Sequence, residues 1–345
     1  ILIYTFFGGM WAVAVTDLIQ MIIIVIGMLY IGGEISGMVG GVGVVVDHAW
    51  QAGKFEFWPA LDLKSVLAFS AAWVTMMFGS IPQQDVFQRV QSSKTEKIAK
   101  WGSVLGGSLY FCFAFVPMFL VYSATLIDPK MVAELIDTDP QLILPRLVLE
   151  KAPLFAQVMF FGALLSAIKS CASATLLAPS VTFTENILRP MLGKMSDRRL
   201  LAMMRSVTLI FTVLVTLYAI NSKASIFKMV ESAYQVTLVA AFVPLTLGLF
   251  WKRATNQGAL AAIFCGVSVW LTLLIFGDED PLVPAQFAGL IASFSGMIVG
   301  SLLPQFVRGS LPSEPEHAFL HHQAASETHH VAKHLHPHPP SHGKS

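Results

Sequence analysis

Long apolar runs constrain this chain more than any other feature. Eight stretches, at 3–31, 65–90, 101–126, 154–182, 200–220, 226–250, 257–276 and 284–306, approach or exceed the roughly 20 mostly apolar residues that a helix needs to cross the hydrocarbon layer of a bilayer. In that solvent the backbone must satisfy its own hydrogen bonds, so helices are the form these runs dictate. Composition agrees: 12% of the residues are charged and the mean hydropathy is +0.67, against roughly 25% charge in a soluble domain. The chain reads as an all-α, multi-pass integral membrane protein of about eight spans, with the lipid bilayer as its first partner. A formal net charge of +1 without a basic stripe excludes nucleic acid. Cys112, Cys171 and Cys265 all lie inside apolar runs and read as small buried side chains rather than a disulfide framework.

The loops give the orientation. Arg89, Lys94, Lys97 and Lys100 follow the second run, Arg189, Lys194, Arg198, Arg199 and Arg205 follow the fourth, and Lys252 and Arg253 follow the sixth. The alternate loops are acidic, with Asp128, Glu134, Asp137 and Asp139 after the third run and Asp278, Glu279 and Asp280 after the seventh. The positive-inside rule puts the basic set in the cytoplasm and the acidic set outside. Residues 1–308 form the membrane domain, with further helices expected before Ile1, which opens directly into an apolar run. Residues 309–345 hold nine of the ten histidines, with prolines at 312, 315, 337, 339 and 340. Such a segment has no core to bury and reads as a disordered cytoplasmic tail, without the fixed ligand spacing of a metal site.

Three polar features interrupt the apolar runs. Asp17 lies in the first, with Gln20 one turn later. An ionisable group within a span is a functional candidate because solvating its charge in hydrocarbon is costly, and a position nearer the interface is the alternative. Gly79 and Pro82 fall inside the second run, where they break or kink the helix and leave backbone polar groups facing a cavity. Lys169 stands at the middle of the fourth run, some 20 Å along the axis from either end at a rise of about 1.5 Å per residue. It must face protein or water; pairing with Asp17 and lining a wet vestibule are the two readings.

The blocks GGMWAVAVTDLIQ, DVFQRVQSSKTEKIAKWG, ALLSAIKSCAS and SIFKMVESAYQVTLVAAFVPLTLGLFWKRATNQGALAAI occur in this order. Together they resemble consecutive blocks of the sodium:solute symporter family over residues 3–306. The resemblance implies a LeuT-type fold of two inverted five-helix repeats, with solute and Na+ held near the midplane between broken helices. The first run then ends repeat one and residues 65–250 supply repeat two. It further implies a shared sodium site at Ala167, Ser170 and Cys171, where the thiol of Cys171 is a poor substitute for a hydroxyl toward a hard cation. A second sodium site present in some members maps to Asp17, Ser173 and Ala174. Lys169 shares the face of Ser173 and is a candidate tethered cation in that site. Phe78, Ser80, Gln83, Gln84, Glu231 and Gln235 are the candidate solute-lining residues.

The function this implies is symport of a small organic solute, coupled to Na+ or alternatively H+, by alternating access in a bacterial inner (plasma) membrane. Cofactors other than the coupling ion are not implied, and the motifs of nucleotide-binding, metalloprotease or triad enzymes do not occur at workable spacing. The alternative class is a membrane sensor that retains the transporter fold.

Overall fold

The computed structural model describes residues 2–193, 196–222, 224–278 and 280–307, and for residues 2–13 the backbone alone. The tail at 309–345 lies outside the described residues. The order is α1 Leu2–Met38, α2 Val42–Gln51, α3 Leu63–Gly79, α4 Gln84–Gln91, α5 Glu96–Ile127, α6 Pro129–Leu135, α7 Ile143–Lys151, α8 Leu154–Phe183, α9 Arg189–Leu192, α10 Asp197–Asn221, α11 Ile226–Thr237, α12 Val243–Phe250, α13 Asn256–Phe276 and α14 Ala285–Leu302. Among the described residues, seven helical spans are long and apolar enough to cross a membrane. They become eight if α3 and α4, bent by 40° at residues 80–83, form one broken span. Seven of the apolar runs are thus single helices of spanning length, and the second is a bent pair of helices that breaks where Gly79 and Pro82 fall.

Contacts between loops sort into two faces as the charges imply. On the acidic face Lys64, at the start of α3, pairs with Asp280, and the Ile226 N–H donates to Gln141 Oε1 at 3.2 Å. On the basic face Gln257 Nε2 donates to the Pro304 carbonyl at 3.1 Å. Between these faces α1 and α8 run antiparallel in close contact, and α13 packs on α14. The latter pair meets through small residues, as helices do in a solvent that offers no hydrophobic drive for association. A Cβ at Gly266 would lie 2.9 Å from the Cβ of Ser293 on α14.

Residues 129–151, which read as a loop, instead fold into α6 and α7. Asp128 caps α6 by accepting the Met131 N–H at 3.1 Å, and Pro129 occupies the first turn, where no backbone donor is needed. Their apolar faces bury Met131, Val132, Leu135, Ile143, Leu147 and Val148 against Ile31 and Ile35 of α1 and Leu120 of α5. Acidic residues on the outer side of these two short amphipathic turns hid the helical period. The Met131 N–H, and then Lys151 at 3.1 Å, hold the Asp128 carboxyl below the usual carboxylate range. A group with a depressed folded-state pKa stabilises above its unfolded value, near 3.9, and loses that contribution as pH falls through the folded value. Amide protection factors in α6, corrected for intrinsic exchange, are expected to fall below about pH 4, and Asp128→Asn should abolish that dependence.

Candidate functional site

The site forms where the broken span crosses α1, α8 and α11. Helix α3 ends at Gly79, whose missing side chain lets the backbone reach α11: a Cβ there would collide with the Tyr234 carbonyl oxygen and lie 3.1 Å from the Tyr234 Cβ. The break frees backbone groups, and α11 satisfies one of them. Thr237 Oγ1 donates to the Gly79 carbonyl at 2.6 Å and accepts from Gln83 Nε2 at 3.3 Å. Phe78 stacks on Phe242 with ring centroids 4.8 Å apart, joining a buried cluster with Leu238, Val243 and Met297. Beyond Thr237 the helix widens into a π-helical turn at Leu238–Phe242 before Pro244. Such turns arise where an extra residue is accommodated in a helix and are frequent at functional sites.

Past the break, α4 carries Asp85 in its first turn and Arg89 in its last, signs that suit the helix dipole at each end. Arg89 reaches across to α1. Its Nη2 donates to Asp17 Oδ2 at 2.6 Å, while Nη1 lies 3.8 Å from Asp85. The other carboxylate oxygen of Asp17 accepts Ser170 Oγ of α8 at 2.6 Å. Three helices are thus tied at one carboxylate, whose side chain is 19% exposed against 47% for Arg89. Charge-assisted hydrogen bonds of this length are roughly twice as strong as neutral ones. One turn along, Ser173 is fully buried and donates to the Ser170 carbonyl at 2.9 Å.

The remaining expected residues scatter around this node. Ala167 is half-buried and lines an apolar hollow of about 340 Å³ with Ile24, Met28, Phe160 and Ala163. Cys171 is exposed and its thiol is free, so the reading of Cys171 as a buried side chain is corrected. Cys112 is exposed too, since helices that face lipid keep apolar side chains on their outside. Gln83 reaches Thr237, whereas Ser80 turns back to the Met77 carbonyl at 3.0 Å and Gln84 is exposed. Glu231 and Gln235 are half-buried on α11.

Lys169, expected as the partner of Asp17, is half-buried on α8 and makes interactions of its own. The cation in ion-pair contact with Asp17 is Arg89. On α8 it is the next residue, Ser170, that donates to Asp17. Arg89 read from sequence as a cytoplasmic loop charge. Its i,i+4 spacing from Asp85, directly after the helix break, was the signal that it belongs to an ordered helix inside the fold.

Comparison with known proteins gives these positions a context. The model of the sodium:solute symporter family matches residues 1–266. The chain belongs to that family. The chain is 27% identical over 314 residues to the sodium/pantothenate symporter of Escherichia coli (strain K12), covering 88% of this chain and 64% of that protein. It is 27% identical over 330 residues to the osmoregulated proline transporter OpuE of Bacillus subtilis (strain 168), covering 90% and 63%. Against the human high affinity choline transporter 1 the values are 26% over 285 residues, covering 78% and 47%. The chain therefore spans less than two thirds of these relatives. A solved structure of a substrate-bound, outward-open Na+-coupled sialic acid symporter superposes with a TM-score of 0.69 at 22% identity, covering 90% of this chain and 66% of that one. That likeness shows the LeuT-type fold.

Proposed function

We propose that this family member is part of a sodium-coupled symporter of a small organic solute that works by alternating access in a bacterial plasma membrane. The observation that carries the reading is the Asp17 node: a carboxylate and a hydroxyl from two packed helices, 2.6 Å apart, beside a broken span. Oxygen ligands of this kind suit a hard cation such as Na+. Arg89 meanwhile occupies one side of the same carboxylate. Entry of Na+ and release of Arg89 are then competing events, and α4, which carries Arg89, moves relative to α1 and α8 when the competition is decided. This couples ion occupancy to the broken span, whose upstream half stacks Phe78 on Phe242 and whose break holds Gln83 against Thr237 of α11.

The test is uptake by the full-length protein in proteoliposomes, with Na+ gradients compared with K+ and H+ gradients. Ser170→Ala is expected to weaken apparent Na+ affinity about tenfold, equivalent to roughly 1.4 kcal/mol, with solute affinity unchanged at saturating Na+. Uptake indifferent to Na+ in the parent protein would overturn the reading. Proton coupling is the second reading, favoured by the thiol of Cys171 where the resemblance implies a hydroxyl ligand; a gradient of H+ alone would then drive uptake.

A further inference from the structure

Resting on the symporter reading, we infer that Gln20 is a cation ligand at the Asp17 node, supplying a neutral amide oxygen from one turn further along α1. Gln20 is only 6% exposed, yet its Oε1 has no hydrogen-bond partner. Two other buried side-chain atoms among the described residues share that condition, Trp270 Nε1 and Ser293 Oγ, and both lie on α13 and α14, helices without a charged residue. Gln20 alone of the three is three residues from a carboxylate.

The register of the α1–α8 seam places the amide. Asp17 meets Ser170 at one level, and Gly27 meets α8 at another, where a Cβ would lie 3.2 Å from the Met159 carbonyl oxygen and 3.3 Å from the Ala163 Cβ. The helices are antiparallel, so moving three residues from Asp17 to Gln20, about 4.5 Å along the axis, corresponds to moving back along α8 from Ser170 toward Ala167. Ile24, four residues further on, does share a hollow with Ala167 and Ala163. Gln20, Gly27, Ile31 and Ile35 continue this buried seam at helical spacing. The unpartnered oxygen therefore lies in the seam between the Asp17–Ser170 contact and Ala167, away from bulk water.

An amide oxygen held dry beside a carboxylate and a hydroxyl has two natural occupants, a buried water or a hard monovalent cation. The cation is the better fit because the neighbouring carboxylate adds attraction that a neutral water does not need. It would exchange one contact of Asp17 with Arg89 for contacts with three oxygens from α1 and α8. Gln20 then contributes to selecting a small cation, since its oxygen is fixed by packing rather than free to retreat.

The experiment is direct binding of ²²Na+ to the purified full-length protein. Gln20→Leu keeps size and apolar packing but removes the oxygen, and is expected to raise the Na+ dissociation constant at least fivefold. Gln20→Glu keeps an oxygen and adds charge, and is expected to tighten binding at least threefold at neutral pH, with the gain lost on acidification. A parent protein that binds Na+ alongside variants both within twofold of it would overturn the assignment while leaving the symporter reading intact, and would give the site to water. If the leucine variant fails to fold, the glutamate variant decides by itself, an unchanged constant again overturning the inference. A parent that binds no Na+ would overturn both.

Discussion

Asp17→Asn is expected to abolish Na+-dependent uptake and to destabilise the full-length protein by about 1.5–3 kcal/mol, the range for losing hydrogen bonds to a charged group. The carboxylate accepts from Arg89 and Ser170 at 2.6 Å each. Asparagine keeps one carbonyl oxygen for Ser170 but sets an amide against the guanidinium and leaves Arg89 only Asp85, 3.8 Å away, as counter-charge. The figure stays below the roughly 3–5 kcal/mol of a fully buried pair because Arg89 is about half exposed and can turn to water. A double-mutant cycle with Arg89→Gln separates the components: the two changes are expected to be strongly non-additive in thermal stability, since each removes the same pair. Arg89→Gln by itself should retain Na+ binding, and even tighten it, because it removes the competitor from Asp17. Equal loss of Na+ binding in both single variants would show that Arg89 supports the site instead of competing for it.

Gly79→Val is expected to unseat the broken span and cost about 1–3 kcal/mol or more, the range for forcing atoms into a packed interior. The obstacle is backbone: a Cβ at Gly79 runs into the Tyr234 carbonyl, and α11 is held there by Thr237 on the Gly79 carbonyl and, through the π-helical turn that follows it, by Phe242 on Phe78. Neither partner yields by a rotamer change. Relief would require α3 and α11 to separate, which breaks the Thr237 hydrogen bond and the aromatic stack together. The control is Gly106→Ala on α5, where a Cβ meets nothing within 4 Å. That change is expected to be neutral or to stabilise by up to about 1 kcal/mol through helix propensity. Measured melting temperatures in detergent and initial rates of uptake check both, and equal behaviour of the two glycines would refute the close-approach argument.

Much of this architecture was legible in the residues. Apolar length alone dictates helices in a solvent without hydrogen-bonding partners, and each of the eight runs is helical, the second as a bent pair. Gly79 and Pro82 announced the broken span, and loop charge sorted the two faces that Lys64 with Asp280, and Gln257 with Pro304, now join. The order of four blocks carried the family. What escaped was amphipathic and short: α6 and α7 are helical because they lie over the outer ends of α1, α5 and α8, and their own period is too brief to declare it.

The partner of Asp17 was a tertiary decision. Sequence places Lys169 at the middle of its apolar run, as a partner for Asp17 or a residue lining a wet vestibule, and reads Arg89 as a cytoplasmic loop charge. Selection depends on the angle at which each helix presents its side chain and on how far α4 swings after the break, and neither quantity is written in any local window. A bend of 40° brings Arg89 onto the carboxylate. The same packing buries Gln20, one turn along α1, since burial belongs to the packed helices and not to the residue.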